Sequence, residues 1–245
     1  QEIPSLFVYN AFCVMSDLVT SKAGTITSGE DRFMEWKTVD GQTEDNHFAN
    51  FHVLFCGMFE QERLIEILRD FICFSKEEKQ SAKILAGYHQ FYAVRKAITS
   101  VKEATTTNGK GGVFWHTQGS GKSLSMVFFA KCLQRALSSP TIVVITDRTD
   151  LDNQLFGQFS KCADFLRQVP VQAKSRKHLS ELLDGIEANG IFFTTMQKFE
   201  EGEEPLSQRR NIIVVADEAH RSQYGLTETI DKQTGKLKIG AARMV

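Results

Sequence analysis

One octapeptide constrains this chain more than any other stretch: His116-Thr117-Gln118-Gly119-Ser120-Gly121-Lys122-Ser123. A short apolar run, Val113–Trp115, precedes it and reads as a strand, and a long helical pattern, Ser123–Leu137, follows it. A strand that turns through glycines into a helix is the setting in which backbone N–H groups converge on a phosphate. Gly119 and Gly121 permit the backbone conformations this needs, and the positive end of the helix dipole favours the anion. In that reading Thr117, Gln118, Gly119, Ser120 and Gly121 cradle a nucleotide. Lys122 reaches the β- and γ-phosphates, and the Ser123 hydroxyl ligates Mg2+. The strict phosphate-loop pattern has Gly at the first position, where this chain has His116. The plain alternative is a glycine turn that caps a helix.

The rest of the second half alternates strand and helix. Thr141–Thr146, Val169–Val171, Ile191–Thr195 and Ile212–Ala216 read as strands, and Leu151–Phe159 and Arg176–Glu187 as helices, the latter capped by Ser175. Continuous apolar strands separated by helices imply a doubly wound α/β sheet with parallel strands. The last of these strands ends in Asp217-Glu218-Ala219-His220. Ligands of open α/β sheets bind at the carboxyl ends of strands, so two carboxylates there suit metal and water. Asp217 is the candidate for Mg2+ and Glu218 for polarising an attacking water. A solvated acidic turn is the alternative.

The first half reads differently. Leu6–Tyr9 and Ala11–Met15 are strand-like runs, and Glu62–Phe74 is a helix with Leu64, Ile65, Leu68, Phe71 and Ile72 on its apolar side. The charged stretch Lys76–Lys79 suggests a boundary, and Tyr88–Val101 a helix entering a second unit. Phe7, Phe51, Phe55, Phe71, Phe128, Phe129, Phe192 and Phe193 are expected in the core. The cysteines, Cys13, Cys56, Cys73, Cys132 and Cys162, are odd in number and form no paired motif, which points to reduced thiols and away from zinc. With 29 basic and 30 acidic residues the net charge of −1 excludes a histone-like protein but leaves room for a local positive groove. No apolar run reaches the ~20 residues of a membrane span. Gln1 in the place of Met, without a signal-peptide pattern, suggests an internal piece of a longer protein.

With these motifs in view, the sequence resembles a superfamily 2 helicase or translocase motor. It is more similar still to the restriction (R) subunit of type I restriction-modification enzymes. Trp115–Ser123 is the form of motif I that this family favours, His116 included, and Asp217–Gly225 is similar to its motif II, a DEAH box. Ile145–Leu155 resembles motif Ia, Thr194–Phe199 the Ib-type segment and Gly87–Tyr92 the Q-type motif. Ile3–Asn10, Ser16-Asp17, Gly24-Thr25 and Phe33–Gly41 resemble the tail of the family's RecB-like nuclease domain. Asp17 with Glu35 and Lys37 mimics a nuclease D…ExK pattern, but the family's own carboxylates and lysine are placed upstream of residue 1.

The resemblance implies residues 1–74 as the end of the nuclease domain and 75–245 as the first RecA-like P-loop NTPase domain, cut before motif III. It adds Gln90 as a hydrogen-bond partner of the adenine edge and His220 to the catalytic set of Lys122 and Glu218. It implies DNA contacts at Thr146, Arg148, Thr195 and Gln197. The intact subunit is then expected to use ATP and Mg2+ to pull double-stranded DNA past a static complex and cleave it. Its partners would be methyltransferase and specificity subunits in a prokaryotic cytoplasm, with no membrane. A piece of this length is expected to bind ATP–Mg2+ without DNA-stimulated turnover. The rival readings are another superfamily 2 helicase or remodeller, and a non-catalytic nucleotide-gated interaction module.

Overall fold

The computed structural model describes residues 4–17, 19–45, 51–77, 81–117, 119–146, 149–196, 205–217, 229–230 and 237–238. The chain divides into two compact units, Gln1–Ser138 with Lys161–Arg167, and Ser139–Ser160 with Gln168–Val245. Among the described residues no helix is long and apolar enough to cross a membrane.

The first unit begins with a 3-10 turn, Pro4–Phe7, where a strand was expected from Leu6 to Tyr9. Leu6, Val8 and Tyr9 are exposed, so the apolar run has no sheet to join. Strands β1 (Cys13–Ser16), β2 (Ser21–Gly24) and β3 (Met34–Glu35) form an antiparallel sheet in that order. Helix α1 (Phe51–Met58) follows, then α2 (Gln61–Asp70), whose first turn is capped by the Glu60 carboxylate accepting from the Glu62 and Arg63 amides. The helix expected to run to Phe74 stops at Asp70, and the β-branched and aromatic residues beyond it become β4 (Ile72–Lys76). This strand pairs antiparallel with β5 (Ser81–Leu85), from Ile72 against Leu85 to Lys76 against Ser81. The boundary drawn between residues 74 and 75 therefore falls inside a hairpin.

Helix α3 (Tyr88–Thr106) and helix α4 (Lys122–Ala136) complete most of this unit. Its core is aromatic: Phe91 lies 5.7 Å from Trp36 and 4.7 Å from Phe71, and Phe71 lies 5.6 Å from Phe128. Phe71 and Phe128 are buried as expected, but Phe51 and Phe55 stand exposed on α1, and Phe7 and Phe129 are only partly covered. Helix α2 has the expected period but a different phase. Ile67 and Asp70 face inward, while Ile65 and Leu68 are exposed. A carboxylate enters because Asp70 is met by Arg69 at 2.8 Å and by Arg135 of α4 at 3.3 Å.

The second unit holds β6 (Thr141–Thr146) and helix α5 (Thr149–Lys161), whose last residue belongs to the first unit together with the short α6 (Ala163–Leu166). Then come β7 (Val171–Gln172), α7 (Arg176–Asp184), β8 (Ile191–Thr195) and β9 (Ile212–Ala216), and a two-residue ladder of β10 (Thr229–Ile230) with β11 (Leu237–Lys238). The sheet runs β7-β8-β6-β9 and is parallel throughout, with Val144 opposite both Phe193 and Val215. This mixed α/β architecture with a parallel sheet fits a RecA-like fold. Strand β7 sits two residues later than expected, because Val169 is left exposed. Val143, Ile145, Phe192, Leu179 and Leu183 form one apolar cluster on the sheet. Ser175 caps α7 by accepting the His178 amide, as the sequence suggests.

Val113–Trp115 is not a strand. It pairs with nothing among the described strands, and Val113 is 95% and Trp115 79% exposed. Three residues have little surface to bury, and a strand exists only beside a partner.

Candidate functional site

The glycine loop expected to hold phosphate lies in the first unit, between α3 and the first turn of α4. Gly119 and Gly121 have φ of +83° and +80°, the left-handed region where side chains are strained. A Cβ at Gly119 would meet nothing, so its glycine answers to backbone conformation alone. A Cβ at Gly121 would also sit 2.7 Å from Nε2 of Gln90. Within the loop, the Ser120 amide and hydroxyl both donate to the Thr117 carbonyl, at 3.2 and 2.6 Å. Helix α4 then starts at Lys122, and its first i to i−4 bond runs from the Ser125 amide to the Gly121 carbonyl at 3.0 Å. The amides of Lys122, Ser123 and Leu124 belong to the first turn, where a helix leaves N–H groups without intrahelical acceptors. That donor set, at the positive end of the dipole and beside a lysine, suits a polyphosphate. Ser123 sits in the same turn and supplies a hydroxyl oxygen of the kind that binds Mg2+.

Gln90 is buried, 4% exposed, and both ends of its amide are used. Its oxygen accepts the Gly87 amide at 3.0 Å, and its nitrogen donates to the Gly121 carbonyl at 3.0 Å. The residue expected to read an adenine edge thus closes the N-terminus of α3 and holds the loop. Gly87 has no side chain, so only this half of a capping box forms. His89, absent from the expected site, places Nε2 3.1 Å from the Ser120 carbonyl oxygen. His116, standing where the strict pattern has Gly, packs its ring 5.4 Å from His89 and 4.6 Å from Phe114. Burial lowers the pKa of His116, helped by the nearby charges of His89 and Lys122. The sequence signal for His89 is the Gly-Tyr-His-Gln string that also carries Gln90.

The second unit carries the acidic candidate. Asp217 follows β9 directly, and its amide donates to the Ile145 carbonyl at 2.8 Å, extending the parallel ladder by one bond. The strand therefore delivers this carboxylate at its carboxyl end, as expected. Glu218, His220, Gln118, Arg148 and Gln197 lie outside the described residues. Thr146 and Thr195 are a correction: both are buried in the sheet, and the Thr146 hydroxyl donates to the Thr194 carbonyl. Hydroxyls enclosed in a strand covered on both faces are not offered to a DNA backbone. Arg209, three residues before β9, is held in place by the second unit. Its guanidinium donates to the Thr141 hydroxyl, the Leu183 carbonyl and the Asn211 side chain, tying the start of the sheet together.

Asp17 and Glu35, of the D…ExK pattern, both lie in local backbone structure. Asp17 accepts the Val19 and Thr20 amides, and these bonds, Thr20 first, hold its carboxyl below the usual range. Glu35 pairs with Lys22 across β2 and β3. No group of three or more metal-ligating side chains occurs among the described residues. None of the five cysteines, all among the described residues, is in a disulfide; Cys73 and Cys162 are buried, and their mutual hydrogen bond and burial push the Cys73 thiol up.

Known proteins match along the whole chain. Residues 89–238 match the SWI2/SNF2 ATPase family. Over 258 aligned residues the chain is 43% identical to the type I restriction enzyme HindI endonuclease subunit of Haemophilus influenzae, covering 99% of this chain and 24% of that one. It is 37% identical to a Methanocaldococcus jannaschii protein provisionally named the type I restriction enzyme MjaIXP endonuclease subunit, over 92% of this chain and 23% of that one. It is 27% identical to the type I restriction enzyme SauCOLORF180P endonuclease subunit of Staphylococcus aureus, over 84% and 24%. The chain thus spans about a quarter of the length of these relatives.

Proposed function

Since the chain belongs to the SWI2/SNF2 ATPase family, we propose that it is the nucleotide-binding part of a type I restriction endonuclease subunit, one that hydrolyses ATP to translocate double-stranded DNA and then cleaves it. The observation that carries this reading is the phosphate loop: two left-handed glycines turning into a helix whose first residues are Lys122 and Ser123. Residues 75–245 serve as the first motor domain and 1–74 as the end of a nuclease domain. The partners are methyltransferase and specificity subunits, in the cytoplasm of a prokaryote.

The amides from Gly119 to Ser123 bind the phosphates, and Lys122 offsets their charge. Ser123 and Asp217 are the residues that would hold Mg2+, and the metal would supply positive charge to offset that of the γ-phosphate. Glu218 orients the attacking water by accepting its proton, with His220 beside it in the motif. Arg148 and Gln197, in the segments that follow β6 and β8, contact the DNA backbone, which positions without reading sequence.

A motor without a nuclease would also match the SWI2/SNF2 family. The likeness of residues before 89 to restriction subunits favours the restriction reading, since the match to the Haemophilus protein takes in nearly the whole chain. The test is DNA-stimulated ATPase of the full-length protein assembled with its cognate subunits. Lys122→Ala and Glu218→Gln are expected to lower turnover by about 100-fold or more, with DNA cleavage lost in parallel. Undiminished turnover in Lys122→Ala would sink the reading. ATP turnover without cleavage by the wild-type assembly would leave the motor and remove the nuclease.

A further inference from the structure

Two side chains from the first turn of α3 hold the phosphate loop by its carbonyls, His89 on Ser120 and Gln90 on Gly121. A carbonyl oxygen only accepts, so His89 must carry a proton on Nε2. A loop with two left-handed glycines has many backbone conformers open to it, and its other described internal bonds are the two from Ser120 to Thr117. A carbonyl turned toward a polyphosphate repels it; a carbonyl tied back to α3 does not.

We propose that His89 is a positioning residue of the phosphate loop: by donating Nε2–H to the Ser120 carbonyl it holds that oxygen away from the phosphates and keeps the loop in its binding shape. The inference rests on the nucleotide reading given above. The ring is oriented by its neighbours, lying 5.4 Å from Tyr88 in an edge-on arrangement and 5.4 Å from His116. This gives a reason for the histidine at 116. Its ring lies between His89 and Phe114, and its Nδ1 is buried with no hydrogen-bond partner among the described residues, so the ring serves here as a packing surface. Gln90 anchors the adjacent carbonyl, so consecutive peptide units of the loop are fixed from one helix end.

The test is calorimetry of the full-length protein with ATP–Mg2+. His89→Phe keeps a ring against Tyr88 and His116 but has no donor. His89→Asn has a donor too short to reach Ser120, and His89→Gln restores an Nε2–H. Loss of one such hydrogen bond is expected to weaken ATP binding about tenfold in the Phe and Asn variants, with the Gln variant within about twofold of wild type. Melting curves matched to wild type show that the fold is intact. Wild-type affinity in both donor-free variants overturns the inference, as does an equal loss in the Gln variant. Lys122→Ala, measured alongside, separates the levels. If it binds ATP as wild type does, the nucleotide reading fails and takes this inference with it. If it loses ATP while His89→Phe and His89→Asn do not, only the role of His89 fails.

Discussion

Strands β6 and β9 have nearly the same composition, Thr-Ile-Val-Val-Ile-Thr and Ile-Ile-Val-Val-Ala, and they pair with each other in register. Yet every residue of β6 is buried and no residue of β9 is; Val214, at its centre, is 50% exposed. The difference lies in the neighbours. Strand β6 has β8 on one side and β9 on the other, whereas β9 is an edge of the described sheet. Val113–Trp115, with no partner among the described strands, is the limit of the same series. A β-branched run states how much surface a strand has to bury. Its neighbours decide how much of that is buried.

Substitutions can break or sharpen this contrast. Val144→Asp in β6 would bury an unpaired carboxylate between two covered faces, and is expected to cost about 4 kcal/mol or more. Val214→Asp in β9 should stay within about 1 kcal/mol. Urea unfolding of the two variants measures both, and equal costs would end the distinction between centre and edge. Phe193→Ala removes a ring from β8 that packs against Phe156 and Phe159 at 5.4 and 5.1 Å. It is expected to cost about 3–5 kcal/mol in the same assay. Thr194→Val works in the other direction. The Thr194 hydroxyl is buried and has no hydrogen-bond partner among the described residues, so replacing it by a methyl group should stabilise by about 1 kcal/mol. A loss of stability there would mean that the hydroxyl has an acceptor in solution.

Trp115→Ser, at the exposed extreme, should change stability by less than about 0.5 kcal/mol. A larger loss would show that the run is covered in the intact protein. The smallest effect is one of pH. The folded-state pKa of His116 is depressed, so its neutral form is favoured by the fold. That contribution is present above its unfolded value of about 6.5 and is lost as pH falls below it. Melting temperature should therefore fall more steeply between about pH 7 and pH 5 in wild type than in His116→Phe. Parallel slopes would mean that the ring is solvated.

Legibility followed the distance over which each residue finds its partners. Strands β6, β8 and β9 were readable to the residue because apolar continuity is a local signal, and the cap of α7 was readable because Ser175 lies three residues from the amide it accepts. Gly119 and Gly121 were readable because left-handed backbone has few occupants. The phase of α2 was not, because Arg135, one of the two arginines that meet the buried Asp70, lies 65 positions away. The same distance hid Arg209, whose Thr141 partner is 68 positions back, and the attachment of His89 to Ser120 across 31. Thr146 and Thr195 misled for another reason: a hydroxyl at a strand end looks available until the neighbouring strand is in place.

Gly121 answers to two masters. Its φ of +80° serves the loop, and its missing Cβ makes room for the Gln90 amide. A descendant of this chain that had given up nucleotides would still be selected to keep that glycine, because α3 leans on it. In comparing relatives, then, a retained glycine at 121 attests to the pairing of α3 with α4, whatever the loop between them still binds.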